Sequence, residues 1–377
     1  SWSERCASQP ELLRYLNFVT DRLELRPLIQ FETWLTAATW HPERALWEVT
    51  TSGGSQFRTR FLVMATGNLS AARVPAFPGL DDYKGEWVRT SHWPDREVKL
   101  AGRKVAVIGT GSSGVQSIPV IARSAEHLTV FQRSPNYSVP ACNGPADQTR
   151  LADIRARVPE VRKELFATVG ASNVMLPSAP MADYDEEGIA ARLEKQWNSG
   201  GHGMSYLFAD QGRNEETNHR VAEFVRDKIR SIVRDPEVAE ILCPHDHGIG
   251  TRRLCVDTDY YATYNRDNVT LVNVRDNPIV RITETGIQTS DGQAYDVDLI
   301  VFALGFHPFT GAWDRIDIRN EKGERPTDHW GEGPKTLLGL MTRGFPNFFF
   351  LTGPGSPSVL ANLFLMNEYH ADWVGEL

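Results

Sequence analysis

The chain is poor in cysteine, with only four in 377 residues. Cys6, Cys142, Cys243 and Cys255 lie far apart with no CxxC pair, which argues against a disulfide scaffold and a zinc framework. The expectation is reduced thiols in a cytoplasmic protein, with no metal site. No apolar run approaches the roughly 20 residues that a membrane helix needs, and no secretory signal opens the chain. Positive charge is not in excess: a formal net charge of −8 leaves no electrostatic footprint for nucleic acid. The first residue is Ser1, not Met, so the expectation is a processed, trimmed or partial chain.

What is present is an ordinary globular composition, 41% hydrophobic and 23% charged, in a chain long enough for two or three cores. "SQPELLRYLNFVTDRLEL" predicts a helix with Ser8 at its cap, Pro10 in its first turn and a stripe of Leu13, Leu16, Val19 and Leu23. Strand-like runs follow: "IQFETWLTAATW", "ALWEVTT" and "FRTRFLVMATG". The last runs from a buried strand into the small-residue turn Ala65-Thr66-Gly67. Such a turn lets a ligand or another backbone come close. Much later "YDVDLIVFALGFH" repeats the pattern at Ala303-Leu304-Gly305, a weak internal repeat. Between the two, "QTRLADIRARVPEVRKELFATV", "EEGIAARLEKQWNSGG" and "NHRVAEFVRDKIRSIV" read as amphipathic helices of a packing insert.

The sharpest local signal is "VAVIGTGSSGVQ". Gly109-Thr110-Gly111-Ser112-Ser113-Gly114 is a G-x-G-x-x-G that leaves a buried strand and opens a helix, the setting of a dinucleotide-binding turn. Gln116 follows on the same helix and is counted with the cofactor-binding set. Pro119 removes a donor early in that helix and is expected to bend or weaken it. At the end of the next strand Gln132-Arg133-Ser134 stands where an NAD site carries an acid. An arginine there suits the 2′-phosphate of NADP, against the plainer reading of a solvated surface side chain. One dinucleotide start thus lies between two closing strands. Proteins with nested sites have two starts, so a first Gly-rich loop is expected in a segment absent from this chain. A sheet without its central strands leaves edges and apolar faces uncovered.

At "YKGEWVRTSHWPD" the chain resembles the flavin-dependent Baeyer–Villiger monooxygenases, whose fingerprint reads aromatic-x-G-x-x-x-H-x-x-x-W-P/D. Tyr83, Gly85, Trp93 and Pro94 match; Arg89 stands in the histidine's place and His92 is three residues late. "SWSERCASQPELLRYLNF", "VFQRSPNYSVPA", "TRRLCVDTDYYATYNRDNV" and "FPNFFFLTGPGSPS" also look like family blocks, in family order. The resemblance implies an α/β fold of two nested dinucleotide-binding, Rossmann-like domains with a mostly helical insert, the FAD domain incomplete. Its division here is 1–70 and 299–377 for FAD, 71–143 and 249–298 for NADP, and 144–248 for the insert. It implies FAD and NADPH as cofactors, and a small ketone and O2 as substrates, one oxygen atom being inserted beside the carbonyl. Arg253 matches the family's active-site arginine, and Arg252 a basic residue at the NADP phosphate. Trp93, Thr66, Gly67, Asn68, Gly353, Pro354 and Gly355 would contact the cofactors. Ser358, Val359, Leu360 and Leu363 would line the ketone pocket, and Tyr260-Tyr261 is read as core. Alternatives stay open: oxygenation of nitrogen or sulfur, a flavin-free NADP oxidoreductase, or a non-enzymatic NADP-binding remnant. The substrate and the oligomeric state are not legible.

Overall fold

The structure, a computed structural model, describes residues 2–168, 170–172, 176–356 and 361–377. Helix α1 (Gln9–Arg22) leads into a meander of β1 (Leu35–His41), β2 (Leu46–Thr51), β3 (Gln56–Thr59) and β4 (Leu62–Met64). Next come β5 (Glu86–Arg89), β6 (Lys104–Ile108), α2 (Ser112–Ser124), β7 (His127–Gln132) and β8 (Ser138–Pro140). Helices α3 (Gln148–Ala156), α4 (Val158–Phe166), α5 (Glu186–Ser199), α6 (Glu215–Ile232) and α7 (Pro236–Leu242) follow. The strands resume with β9 (Cys255–Asp257), the short helix α8 (Tyr260–Thr263) and β10 (Val269–Asn273). They continue through β11 (Ile279–Ile282), β12 (Gly286–Thr289), β13 (Ala294–Asp296), β14 (Leu299–Phe302), β15 (Asp317–Arg319) and β16 (Phe348–Phe350), before α9 (Leu363–Gly375).

The chain divides into two compact units. The larger joins Ala72–Cys142 to Met175–Gly305 around a five-stranded sheet of order β10-β7-β6-β14-β5, every pairing parallel. Both faces of this sheet are covered at its centre, which explains why β6 and β14 are apolar runs and not alternating ones, while the edge strands β5 and β10 carry polar residues. Val105, Val107, Leu128, Val130, Leu299 and Val301 pack with Ile118 and Ile121 of α2. Ala106, Ile108, Phe131, Ile300 and Phe302 face the other way, onto Ile282 and Ile287 of the antiparallel sheet β11-β12-β13. Helix α2 continues through Pro119, which is buried within it. Tyr260 and Tyr261 are core, at 2% and 3% exposure.

The other unit joins Ser1–Ala71, Asn143–Val174 and Phe306–Leu377. Its sheet runs β15-β1-β2-β3, and β4 pairs in parallel with β16 as a separate two-stranded ladder. An aromatic core holds it, built on Trp40, Trp47, Trp313, Trp330, Phe348 and Phe350. Among the described residues no further strand flanks the β4–β16 ladder, and Val63 of β4 is 42% exposed. Helix α1 forms where its stripe predicts, yet none of its residues is buried.

The structure departs from the sequence reading in three places. The closing strand β14, expected at the head of the second FAD segment, lies in the larger unit between β6 and β5, and the division falls after Gly305. The helical insert is not one body. Helices α3 and α4 belong with the smaller unit, where Arg162 pairs with Glu368, whereas α5 to α7 pack in the larger. Finally, "QTRLADIRARVPEVRKELF" is two helices and not one. It breaks at Arg157, two residues before Pro159, which stands in the first turn of α4, where proline needs no donor.

Candidate functional site

The glycine-rich turn follows β6, in the larger unit. Its three glycines differ in what surrounds the place of the missing side chain. Gly109 has φ of +107°, and a Cβ there would stand 2.6 Å from the Ala303 carbonyl oxygen. Gly114 sits in the first turn of α2 with its Cα against the turn itself, so that a Cβ would come 2.2 Å from the Gly109 oxygen. A Cβ on Gly111 would meet nothing within 4 Å. That open face lies before the first turn of a 13-residue helix whose N-cap makes no side-chain hydrogen bond to the leading N–H groups of α2. Thr110 is buried and its hydroxyl donates to the Ser134 carbonyl at 3.4 Å, tying the turn to the end of β7. Ser112 and Gln116 are exposed on the helix and Ser113 half-buried; the Gln116 amide donates to the Ser112 carbonyl at 2.9 Å.

Arg133 is exposed directly after β7, and the loop carrying Arg252 and Arg253 precedes β9. A group of residues that the sequence did not single out connects them. Asp246 takes Arg275 Nη2 at 2.9 Å and Arg252 Nη2 at 3.6 Å on one carboxylate oxygen, and His247 Nδ1 at 2.6 Å on the other. The His247 ring, with Arg252 and Arg275 beside it, holds the Asp246 carboxyl below the usual carboxylate range. Nε2 of His247 lies 3.4 Å from Asn136 Oδ1, and Asn136 Nδ2 donates to the Arg253 carbonyl at 3.0 Å. The Arg253 backbone is thereby anchored while its side chain stays exposed. No periodicity marks Asp246, His247, Asn136 or Arg275, because they are loop residues joined only by tertiary folding.

The fingerprint residues have structural work. The Tyr83 hydroxyl donates to the Val297 carbonyl at 2.8 Å, and burial pushes its pKa up to about 12. Gly85 lacks a side chain because a Cβ there would lie 2.3 Å from that hydroxyl. Arg89, in the histidine's place, ends β5 opposite Phe302 and bridges to His92 in a tight turn. Trp93, just beyond, is 42% exposed.

In the smaller unit the carboxyl ends of β4 and β16 stand side by side, because Met64 pairs with Phe350. Thr66-Gly67-Asn68 follows the first of these strand ends and Gly353-Pro354-Gly355 the second. Gly67 has φ of +72° and open space where its Cβ would be. The Pro354 carbonyl is held by the Thr336 hydroxyl at 2.9 Å, and the buried Ser356 Oγ beyond it finds no partner among the described residues. A Cβ on Gly353 would meet the Phe350 ring and one on Gly355 the Thr336 hydroxyl, so only Gly67 is open, and among the described residues no second glycine-rich strand-to-helix turn accompanies them. Leu363 opens α9, 39% exposed; Ser358, Val359 and Leu360 lie outside the described residues. All four cysteines are free, and among the described residues no helix is long and apolar enough to cross a membrane.

A parallel sheet with this turn at the carboxyl end of its central strand, β6, is the arrangement of a dinucleotide-binding domain. Accordingly, residues 1–169 match the family model for pyridine nucleotide-disulphide oxidoreductases. A 2-oxo-Δ3-4,5,5-trimethylcyclopentenylacetyl-CoA monooxygenase of Pseudomonas putida is 43% identical over 99% of this chain and 70% of its own. An acetone monooxygenase (methyl acetate-forming) of Gordonia sp. (strain TY-5) is 38% identical over 100% of this chain and 71% of its own. Among solved structures, an oxidised steroid monooxygenase bound to NADP superimposes with a TM-score of 0.94 at 48% identity, covering 99% of this chain and 71% of that one. The OTEMO complex with FAD and NADP gives 0.96 at 43%, with the same coverage. The chain belongs to the Baeyer–Villiger monooxygenases, a family of NADPH- and FAD-dependent flavoenzymes.

Proposed function

We propose that this chain carries the NADP site, the active-site arginine and part of the flavin site of an enzyme that converts a small ketone and O2 to an ester or lactone. The observation that carries the reading is the turn at Gly109 to Gly114, where two glycines are forced by the fold and the third is left open to a ligand. Bound NADPH and FAD supply the hydride and oxygen chemistry. The residues of this chain bind, orient and neutralise charge. Gly109, Thr110, Gly111, Ser112, Ser113 and Gly114 hold the pyrophosphate at the start of α2, with Gln116 beside them. Arg133, Ser134 and Arg252 take the 2′-phosphate.

Arg253 places a permanent cation where negative charge gathers on the reacting oxygens; a guanidinium keeps its charge at every working pH. Anchoring of its carbonyl by Asn136 limits how far that cation wanders. Thr66, Gly67, Asn68, Gly353, Pro354 and Gly355 approach the flavin, Trp93 contributes to the cofactor contacts, and Ser358, Val359, Leu360 and Leu363 border the ketone. The domain reading follows: the larger unit binds NADP and the smaller contributes to FAD. The partners are small molecules, with neither nucleic acid nor membrane, and the compartment is the cytoplasm.

The test is the purified chain, incubated with FAD, passed through gel filtration and assayed for retained flavin and for NADP+ binding. NADPH oxidation that depends on ketone and yields an ester supports the reading. Sulfide or amine oxidation without ester would replace it with heteroatom oxygenation. NADPH turnover without flavin would leave a flavin-free oxidoreductase.

A further inference from the structure

The dinucleotide reading leaves Arg275 without a role. It stands two residues past β10, which pairs in parallel with β7, with Asn273 opposite Gln132. The carboxyl ends of two adjacent strands therefore carry Arg133 and Arg275 into the same crevice, the end of a parallel sheet at which ligands bind. The link is direct, since Arg275 Nε donates to the Arg133 carbonyl at 3.3 Å. On its other side Arg275 Nη2 reaches the Asp246 oxygen that also faces Arg252. Two guanidiniums that would repel each other are thus set side by side by one carboxylate, at the end of the strand that presents the third.

Charge and donor capacity agree with one kind of ligand. Arg133, Arg252 and Arg275 against the single Asp246 leave a net charge of +2. A phosphomonoester carries about −1.5 to −2 near neutral pH. A guanidinium has five N–H donors, of which Arg275 commits one to Arg133 and one to Asp246, so a fork of donors remains for an anion. Nearly half of the Arg275 side chain is exposed, at 46%, so an anion reaches it without rearrangement of the core.

We propose that Arg275 is a direct ligand of the 2′-phosphate of NADP, the third arginine of that subsite, held in position by Asp246. The inference rests on the reading of the Gly109 turn as a dinucleotide site. A carboxylate that gathers cations in the free protein keeps the subsite assembled before the nucleotide arrives, so less ordering is required on binding. The same carboxylate continues through His247 and Asn136 to the carbonyl of Arg253, which places the nucleotide-reading cluster and the active-site loop in one hydrogen-bonded chain.

Calorimetric titration of the intact chain with NADP+, NAD+ and 2′,5′-ADP tests this. Arg275→Ala is expected to weaken NADP+ and 2′,5′-ADP by roughly 10- to 100-fold, the range for a charge-assisted hydrogen bond, and to leave NAD+ unchanged. Arg275→Lys keeps the charge and the pairing with Asp246, and with them the local fold. It should recover part of the NADP+ affinity but not all, because the fork is lost. If Arg275→Ala leaves the ratio of NADP+ to NAD+ affinity as it was, or weakens both equally, Arg275 is no phosphate ligand and only this proposal fails. If the unaltered chain binds none of the three nucleotides, the reading of the Gly109 turn fails, and the proposal with it.

Discussion

Replacing the three glycines of the Gly109 turn by alanine, one at a time, separates what the fold needs from what the ligand needs. At Gly114 the added methyl carbon would stand 2.2 Å from the Gly109 carbonyl oxygen and 3.0 Å from its carbon, both backbone atoms that cannot swing aside. The start of α2 must then move off the turn, and overpacking of this kind costs about 1–3 kcal/mol. At Gly109 the Ala303 oxygen at 2.6 Å and the positive φ of +107° act together, so the loss is at least as large. Gly111 is the opposite case. It has φ of −76° and ψ of −171°, ordinary extended backbone, and no atom within 4 Å of the new carbon. Alanine there makes a poorer N-cap, by roughly 0.5–1 kcal/mol. It also restricts the unfolded chain, which returns about 0.4–1 kcal/mol. The two nearly cancel, and Gly111→Ala should melt within a degree or two of the parent. Its NADP+ affinity should nevertheless fall at least about tenfold, because the methyl stands where a pyrophosphate approaches. Thermal melts beside calorimetry read both quantities. Undiminished NADP+ binding by Gly111→Ala, or unfolding as early as that of Gly114→Ala, would refute the reasoning.

Other consequences are as direct. Arg253→Ala removes an exposed side chain, so stability should stay within about 0.5 kcal/mol while ketone oxidation by the flavin-loaded enzyme is lost; a large drop in melting temperature would make Arg253 a structural residue. Asn136→Leu takes the donor from the Arg253 carbonyl. Turnover should fall by roughly 10- to 100-fold through misplacement of the cation, with NADP+ affinity preserved, and equal losses in both would contradict a positioning role. Tyr83→Phe strands the Val297 carbonyl and should cost about 1–3 kcal/mol in chemical denaturation without changing NADP+ binding. Glu223 is held down to about 2 by Arg230 and Arg226. A depressed carboxyl stabilises the fold above its ordinary value of 4.5, and that contribution is lost as pH falls through about 2. Because its side chain is 37% exposed, the contribution is screened to about 1 kcal/mol. Glu223→Gln should therefore be less stable than the parent at pH 7 and equal to it near pH 2, as urea titrations would show.

Local rules carried far in this chain. The strands β6, β7 and β14, the turn between β6 and α2, and the arginine after β7 were all legible, because each rests on a pattern within a dozen residues. A two-faced buried strand has to be an apolar run, and a turn that must admit both a helix and a phosphate has to be glycine. The resemblance at Tyr83 to Pro94 named the family, but not why its residues stand there; Gly85 is explained by the Tyr83 hydroxyl that folds back over it and by the Asp298 carbonyl from the distant β13–β14 turn. What the sequence could not determine was set by distance along the chain. Nothing local tells that β14 inserts between β5 and β6, since the same apolar run would serve in either sheet. Nothing local separates α3 and α4 from α5 to α7, for an amphipathic face does not state what it will cover. The cluster of Asp246, His247, Asn136, Arg252 and Arg275 was invisible for the same reason. Its members come from loops up to 139 positions apart, between Asn136 and Arg275, and a charge acquires its partner only when the strands beneath those loops have paired.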